Sequence, residues 1–159
     1  MKRLFSILVL CLLLCGCSHA DETVKFYYVR GDYQSTLTDI IAFEERDASG
    51  HRNDLPYLLA LYRAGPADDS LASLLPTGIQ IQSVQNADGS IDLQLSDTSK
   101  TLSDSDFSLT CACLTLTCLD ITDASTVNIT SGPRSVTMNR SNLTLFDTIT
   151  NTTVTEETK

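Results

Sequence analysis

Three thiols crowd into eight residues at Cys111, Cys113 and Cys118, and their type and spacing invite a chemical role first. Clustered thiols can be paired by oxidation, bind a metal or attack a substrate. On a helix, positions 111 and 113 point about 200° apart and cannot form a relaxed disulfide, whereas 111 and 118 share a face two turns apart. A metal centre needs further ligands, but the histidines are His19 and His51 alone, and neither stands at ligand spacing from the thiols. Uncommitted cysteines are among the most buried residue types, so the spacing predicts small core residues, with thiol-dependent catalysis as the rival reading.

The other reactive residue types do not converge either. His51 lies in a Ser49-Gly50-His51-Arg52 loop, and the chain has no Gly-x-Ser-x-Gly elbow. Glu44 and Glu45 are neighbours in a strand-like stretch, so they face opposite ways and cannot act as an acid/base pair. Arg46 suits a structural ion pair as well as a binding role. Asp88, Asp97, Asp104 and Asp106 lack the spacing of a calcium loop, and helix capping accounts for Asp104 or Asp106. No assembled active site, metal or cofactor is expected.

Cys17 is a different matter. Lys2 and Arg3 precede an apolar run of eleven residues, Leu4 to Leu14, which suits a signal peptide and is too short to span a bilayer. The run closes on Leu14-Cys15-Gly16-Cys17, which resembles a bacterial lipobox, where a Leu, a small residue and a Gly precede a Cys that becomes linked to diacylglycerol. Cys15 occupies a position where Ala, Ser or Thr is commoner. The resemblance implies cleavage after Gly16 and a mature chain beginning at an acylated Cys17, held on the extracytoplasmic face of the cell membrane. Two or three acyl chains, palmitate among them, would anchor it stably, where one binds only marginally. An ordinary secretory peptide, cut for example after Ala20, is the alternative.

Loss of residues 1–16 leaves 143 of the 159 residues, enough for one small domain. It also removes two of the 11 basic residues and none of the 20 acidic ones, so 9 − 20 gives the mature chain a net charge of −11. That balance argues against nucleic acid, whose phosphates call for Lys and Arg, and against lying flat on anionic lipid.

The elements that must carry these residues follow from periodicity. Val24 to Val29 reads as an aromatic, β-branched strand, and Leu37 to Asp47 as a second. Asn53 or Asp54 caps a helix of about three turns with Leu55, Leu58, Leu59 and Tyr62 on one face, stopped by Gly65-Pro66. A polar loop through Asp68 and Asp69 leads to a Pro76-Thr77-Gly78 turn. Ile79–Val84 and Ile91–Leu95 alternate around Asp88-Gly89, a hairpin signature. Asp104-Ser105-Asp106 opens a second helix through about Leu119, apolar around most of its circumference, with a strand as the alternative that its Thr content allows. Thr126–Ile129 and Ser135–Met138 flank Gly132-Pro133 as another hairpin, and Leu143–Phe146 adds an edge strand before a polar tail.

The order of these features is similar to that of a GerMN domain, the module named for a spore-germination protein. It is carried by Val24–Val29, Glu44-Glu45-Arg46, Leu58–Gly65-Pro66, Leu75-Pro76-Thr77-Gly78, Val84–Leu95-Ser96, Leu114-Thr115-Leu116-Thr117 and Val127-Asn128-Ile129. The Ser131-Gly132-Pro133-Arg134 turn departs from it, the family usually showing Asp-Gly there, and so does the loop Asp47–Arg52. The resemblance implies an α+β domain, roughly β-β-α-β-β-α-β-β, with two helices packed on one face of a small mixed or antiparallel sheet. It makes Leu58, Leu59, Tyr62, Gly65, Pro66, Pro76 and Gly78 structural positions. It also implies a non-catalytic assembly role outside the cytoplasm, in sporulation, germination or the cell envelope; related modules form rings around the forespore.

The expected organisation is therefore a signal peptide over 1–16, a tether over 17–23, the domain over 24–149 and a tail over 150–159. Envelope proteins are the expected partners, with the soluble part monomeric alone. A small-ligand or peptidoglycan-binding lipoprotein is the alternative.

Overall fold

β1 (Thr23–Arg30) organises the first half of the fold, because alternate residues bury Val24, Phe26 and Tyr28 on one face. The computed structural model describes residues 23–34 and 39–143, and the backbone of 150–151. The signal peptide, Cys17 and nearly all of the tether lie outside the described residues. So do 144–146 of the proposed Leu143–Phe146 strand.

β1 pairs antiparallel with β2 (Ile41–Asp47) in an unbroken register from Thr23 opposite Asp47 to Val29 opposite Ile41. A two-residue strand, β3 (Leu71–Ala72), joins the other side of β1 at Val29 and Arg30. It falls where periodicity gave only a polar loop, since two residues are too few to show alternation.

Helix α1 (Leu55–Tyr62) follows β2, and Asp54 caps it by accepting the Tyr57 amide at 3.1 Å. It has eight residues, nearer two turns than the expected three. Gly65 adopts φ +91°, a conformation that ends the helix and that side chains resist. Leu58, Leu59 and Tyr62 are buried, Pro66 and Pro76 partly so, and Gly78 lies in an exposed turn where the Ile79 amide reaches the Pro76 carbonyl at 2.9 Å. The Tyr62 ring stacks on Tyr28 at 4.6 Å between centroids, and each phenol donates to a carbonyl of the other element.

The second sheet runs β4-β5-β6-β7-β8. β4 (Ile81–Ala87) and β5 (Ser90–Leu95) form the expected hairpin, with Asp88 and Gly89 both at positive φ, the backbone that a tight two-residue turn requires. β6 (Thr126–Ser131) and β7 (Arg134–Met138) form the second hairpin around Gly132-Pro133. Gly132 sits at φ +56°, and a Cβ there would lie 2.6 Å from an Asp97 carboxylate oxygen, so both conformation and space demand glycine. Thr150–Asn151 adds β8 beside β7 where the composition indicated only a tail.

α2 (Asp104–Ile121) crosses over from β5 to β6, which lie side by side in parallel. Its cap is Ser103, whose Oγ accepts the Asp106 amide at 3.1 Å; Asp104 and Asp106, the expected caps, sit inside the first turn. A hydroxyl one residue earlier reaches that amide, while Asp104 and Asp106 remain near the positive helix end. α2 packs on β1 of the first sheet and on β6 and β7 of the second. The class is thus α+β with two helices, and the strands divide between two sheets bridged by α2, where one sheet with both helices on a face was expected.

Thr126–Ser131 pairs on both sides, with β5 and with β7, so it is an interior strand and not an open edge. Among the described residues β2 pairs on one side only, as does β4.

Leu59→Ala is expected to cost about 2–5 kcal/mol in chemical denaturation, because it empties a fully buried site. Gly65→Val should cost about 1–3 kcal/mol through backbone strain alone, since nothing lies within 4 Å of the added Cβ.

Candidate functional site

The thiols lie on α2, inside the core. Cys111, Cys113 and Cys118 are free and buried, at 0%, 3% and 0% exposure. Burial pushes Cys113 and Cys118 up to about 12 and Cys111 higher still, because a thiolate there would lose its hydration. Reactive cysteines show the reverse, a depressed pKa and access to solvent. Among the described residues no group of three or more His, Cys, Asp or Glu side chains is placed to hold a metal.

Glu44 and Arg46 come together on one face of β2. Arg46 Nε donates to Glu44 Oε1 at 2.6 Å, and one Arg46 Nη donates to the Gly65 carbonyl at 2.9 Å. The other Glu44 oxygen accepts the Ala67 and Asp68 amides at 2.9 and 3.0 Å. The pair therefore grips the chain as it leaves α1, supplying an acceptor and a donor that the turn at Gly65-Pro66 cannot supply itself. The motif that prompted a binding reading for Arg46 is used internally, while Glu45 faces solvent.

His51 is exposed, stacked on Tyr57 at 3.8 Å between ring centroids, with Nδ1 3.7 Å from Asp54. Asp54 is the α1 cap and the imidazole lies exposed beside it, so the arrangement is a surface contact. The acidic residues have local work as well. Asp47, Asp68 and Asp97 each accept the amide two residues on, from Ser49, Ser70 and Ser99, at 2.8–2.9 Å. Those bonds hold the Asp68 and Asp97 carboxyls below the usual range, chiefly through Ser70 and Ser99.

Arg134 escaped the sequence reading. It is 4% exposed, donates to Thr98 Oγ1 at 2.7 Å and to the Leu102 carbonyl at 3.2 Å, and its guanidinium lies 4.3 Å from the Phe107 ring centroid. Thr98 in turn is held by Ser131, whose Oγ accepts the Thr98 amide at 2.9 Å. Alternation from Val136 and Met138 puts position 134 on the buried face, which was the available signal.

An open cleft of about 460 Å³ lies at the C-terminal end of α2, lined by Arg52, Asn53, Asn86 and Asp123 among others. Arg52 donates to the Asp120 carbonyl at 3.3 Å, a cation placed at the negative end of the helix. The lining holds amides, one acid and one base, and no thiol, imidazole or catalytic carboxylate pair.

No protein-family model matches the chain, and no curated protein matches it. Among solved structures a candidate lipoprotein from Clostridium perfringens is similar, at 20% identity over 75% of this chain and 87% of that one, with a TM-score of 0.47. The GerMN resemblance rests on the order of motifs in the sequence.

Modification of the three α2 thiols by a maleimide is expected to be slow in the native state and complete once the chain is denatured. Since burial raises these pKa values above the ordinary 9.0, stability should hold below pH 9 and fall as pH rises toward 12. Rapid native labelling near neutral pH would mark a reactive thiol.

Proposed function

We propose that this protein is a membrane-anchored lipoprotein whose α+β domain acts outside the cytoplasm as a non-catalytic, GerMN-like interaction module. The observation that carries this reading is Leu14-Cys15-Gly16-Cys17 at the end of an eleven-residue apolar run behind two basic residues. Among the described residues no helix is long and apolar enough to cross a membrane, so acyl chains on Cys17 would supply the attachment. The burial of all three remaining thiols and the internal use of Glu44 and Arg46 favour a binding domain over an enzyme. Sporulation, germination and envelope maintenance are the processes the motif order points to, with envelope proteins as partners.

A second reading, a binder of peptidoglycan fragments, is favoured by the polar cleft at Arg52, Asn53, Asn86 and Asp123. Retention on immobilised peptidoglycan that Asn86→Ala weakens would support it over the protein-partner reading.

Labelled palmitate fed to the native host should enter the protein and be lost in Cys17→Ser. Incorporation that survives this substitution would overturn the anchoring. With a net charge of −11, copies of the unacylated residues 18–159 should repel one another at low ionic strength. Sedimentation is expected to show a monomer at micromolar concentration, and a stable oligomer would mean that assembly needs neither membrane nor partner.

A further inference from the structure

We propose that the open edge of β2 is the docking site for an extended, basic segment of a partner protein, which pairs with Ile41–Asp47 as an added strand. This names the contact and the partner chemistry for the interaction module proposed above, and it rests on that reading.

Four observations converge on β2. Among the described residues it is a terminal strand of its sheet, so one row of its backbone donors and acceptors faces away from β1. Its register with β1 is regular over all seven paired residues, whereas β4, a terminal strand of the other sheet, is broken by a bulge between Ile81 and Ser83. A regular, unbulged edge is the kind that accepts another strand, and a bulge is a means of refusing one. β2 also carries Phe43, 47% exposed and one of two large apolar side chains left in solvent among the described residues. Phe43 is backed by Tyr27, 5.5 Å away between centroids, and Lys25 Nζ lies 4.6 Å from its ring centre, so it is held in place and offers a preformed apolar anchor.

Charge selects the occupant. Glu44, Glu45 and Asp47 against Arg46 give the strand a net −2; Glu44 and Arg46 pair with each other, and on the exposed face Asp47 accepts the Ser49 amide and Glu45 stands opposite Lys25, so that face keeps a net −1 within an acidic chain. A second copy of this chain would bring the same acids to the same edge of a chain that stands at −11 without residues 1–16, which disfavours self-pairing. An anionic bilayer is disfavoured for the same reason. An extended segment with Lys or Arg at alternate positions places cations beside Glu45 and Asp47, while its backbone supplies the pairing groups and an apolar residue covers Phe43.

The test uses the chain as purified from its host in neutral detergent, with an alternating Lys-Val peptide as probe and an alternating Glu-Val peptide as control. Backbone amide exchange is read over 41–47, with 81–87 as the internal reference. The Lys-Val peptide should slow exchange in 41–47 by about tenfold and leave 81–87 unchanged, and the Glu-Val peptide should do neither. Glu45→Lys, at an exposed position, should reverse the preference between peptides, and Phe43→Ser should weaken binding of the Lys-Val peptide while the circular dichroism spectrum is kept. Equal protection by both peptides, or by neither, would overturn the proposal. Protection that grows with protein concentration alone would make the edge a self-association site. Protection by phosphatidylglycerol vesicles alone would make it a membrane face. The peptide measurements read the same whether or not Cys17 is acylated, so their failure is separate from failure of the lipoprotein reading.

Discussion

The packing of α2 along the free side of β1 is the constraint on which the rest of the structure depends. β3 covers that side of β1 only at Val29 and Arg30, leaving the amides of Lys25 and Tyr27 without a strand to receive them. α2 receives them instead: Asp120 Oδ2 accepts the Lys25 amide and Thr117 Oγ1 accepts the Tyr27 amide, each at 3.0 Å. A buried amide left without an acceptor would cost about 1–3 kcal/mol, so polar residues on this helix are what let it lie against a strand edge. The same helix presents Cys111, Ala112, Leu114 and Cys118 to the common core. Small side chains keep α2 close to both sheets, and its Thr content follows from the same demand. Thr110 within the helix and Thr122 at its C-cap return their hydroxyls to the carbonyls of Asp106 and Cys118, which satisfies them.

Around this centre the acidic residues hold loops. Glu44 gathers two amides beyond α1, and three Asp-x-Ser turns are closed by Asp47, Asp68 and Asp97. An acidic composition is thus compatible with a compact domain, because backbone amides, more than counter-cations, offset part of the charge locally. Arg134 is the exception. It spends a cation on the loop ahead of α2, stacked on Phe107, and joins the second hairpin to the start of the helix.

The consequence for function is a division of labour between interior and ends. The thiols that invite chemistry are enclosed by the helix that both sheets need, and giving them solvent access would open the core. What faces outward is a regular strand edge with one aromatic, a polar cleft at the far end of α2, and the start of β1. Thr23 opens β1 six residues after Cys17, so an acylated chain would hold the first sheet close to its anchor: six residues span at most about 20 Å when extended.

Features set by neighbours in the chain were legible in the sequence. The α1 stripe of Leu55, Leu58, Leu59 and Tyr62, the positive φ at Gly65, and the turns at Asp88-Gly89 and Gly132-Pro133 depend on side-chain periodicity and on glycine's freedom, both local properties. The lipobox-like run that ends at Cys17 is also contiguous in the sequence, and the proposed anchoring rests on it. Only the tertiary structure decided that the strands form two sheets, that β5 and β6 lie parallel across α2, and that Thr126–Ser131 is interior while β2 is the open edge. It also decided that Glu44, Arg46 and Gly65 meet, and that Thr98, Ser131 and Arg134 form one network. The physical reason is that alternation tells a strand which face to bury and says nothing of its neighbour. Strand partners are chosen by whichever closure of the long connections buries the most apolar surface while leaving the fewest backbone groups unpaired.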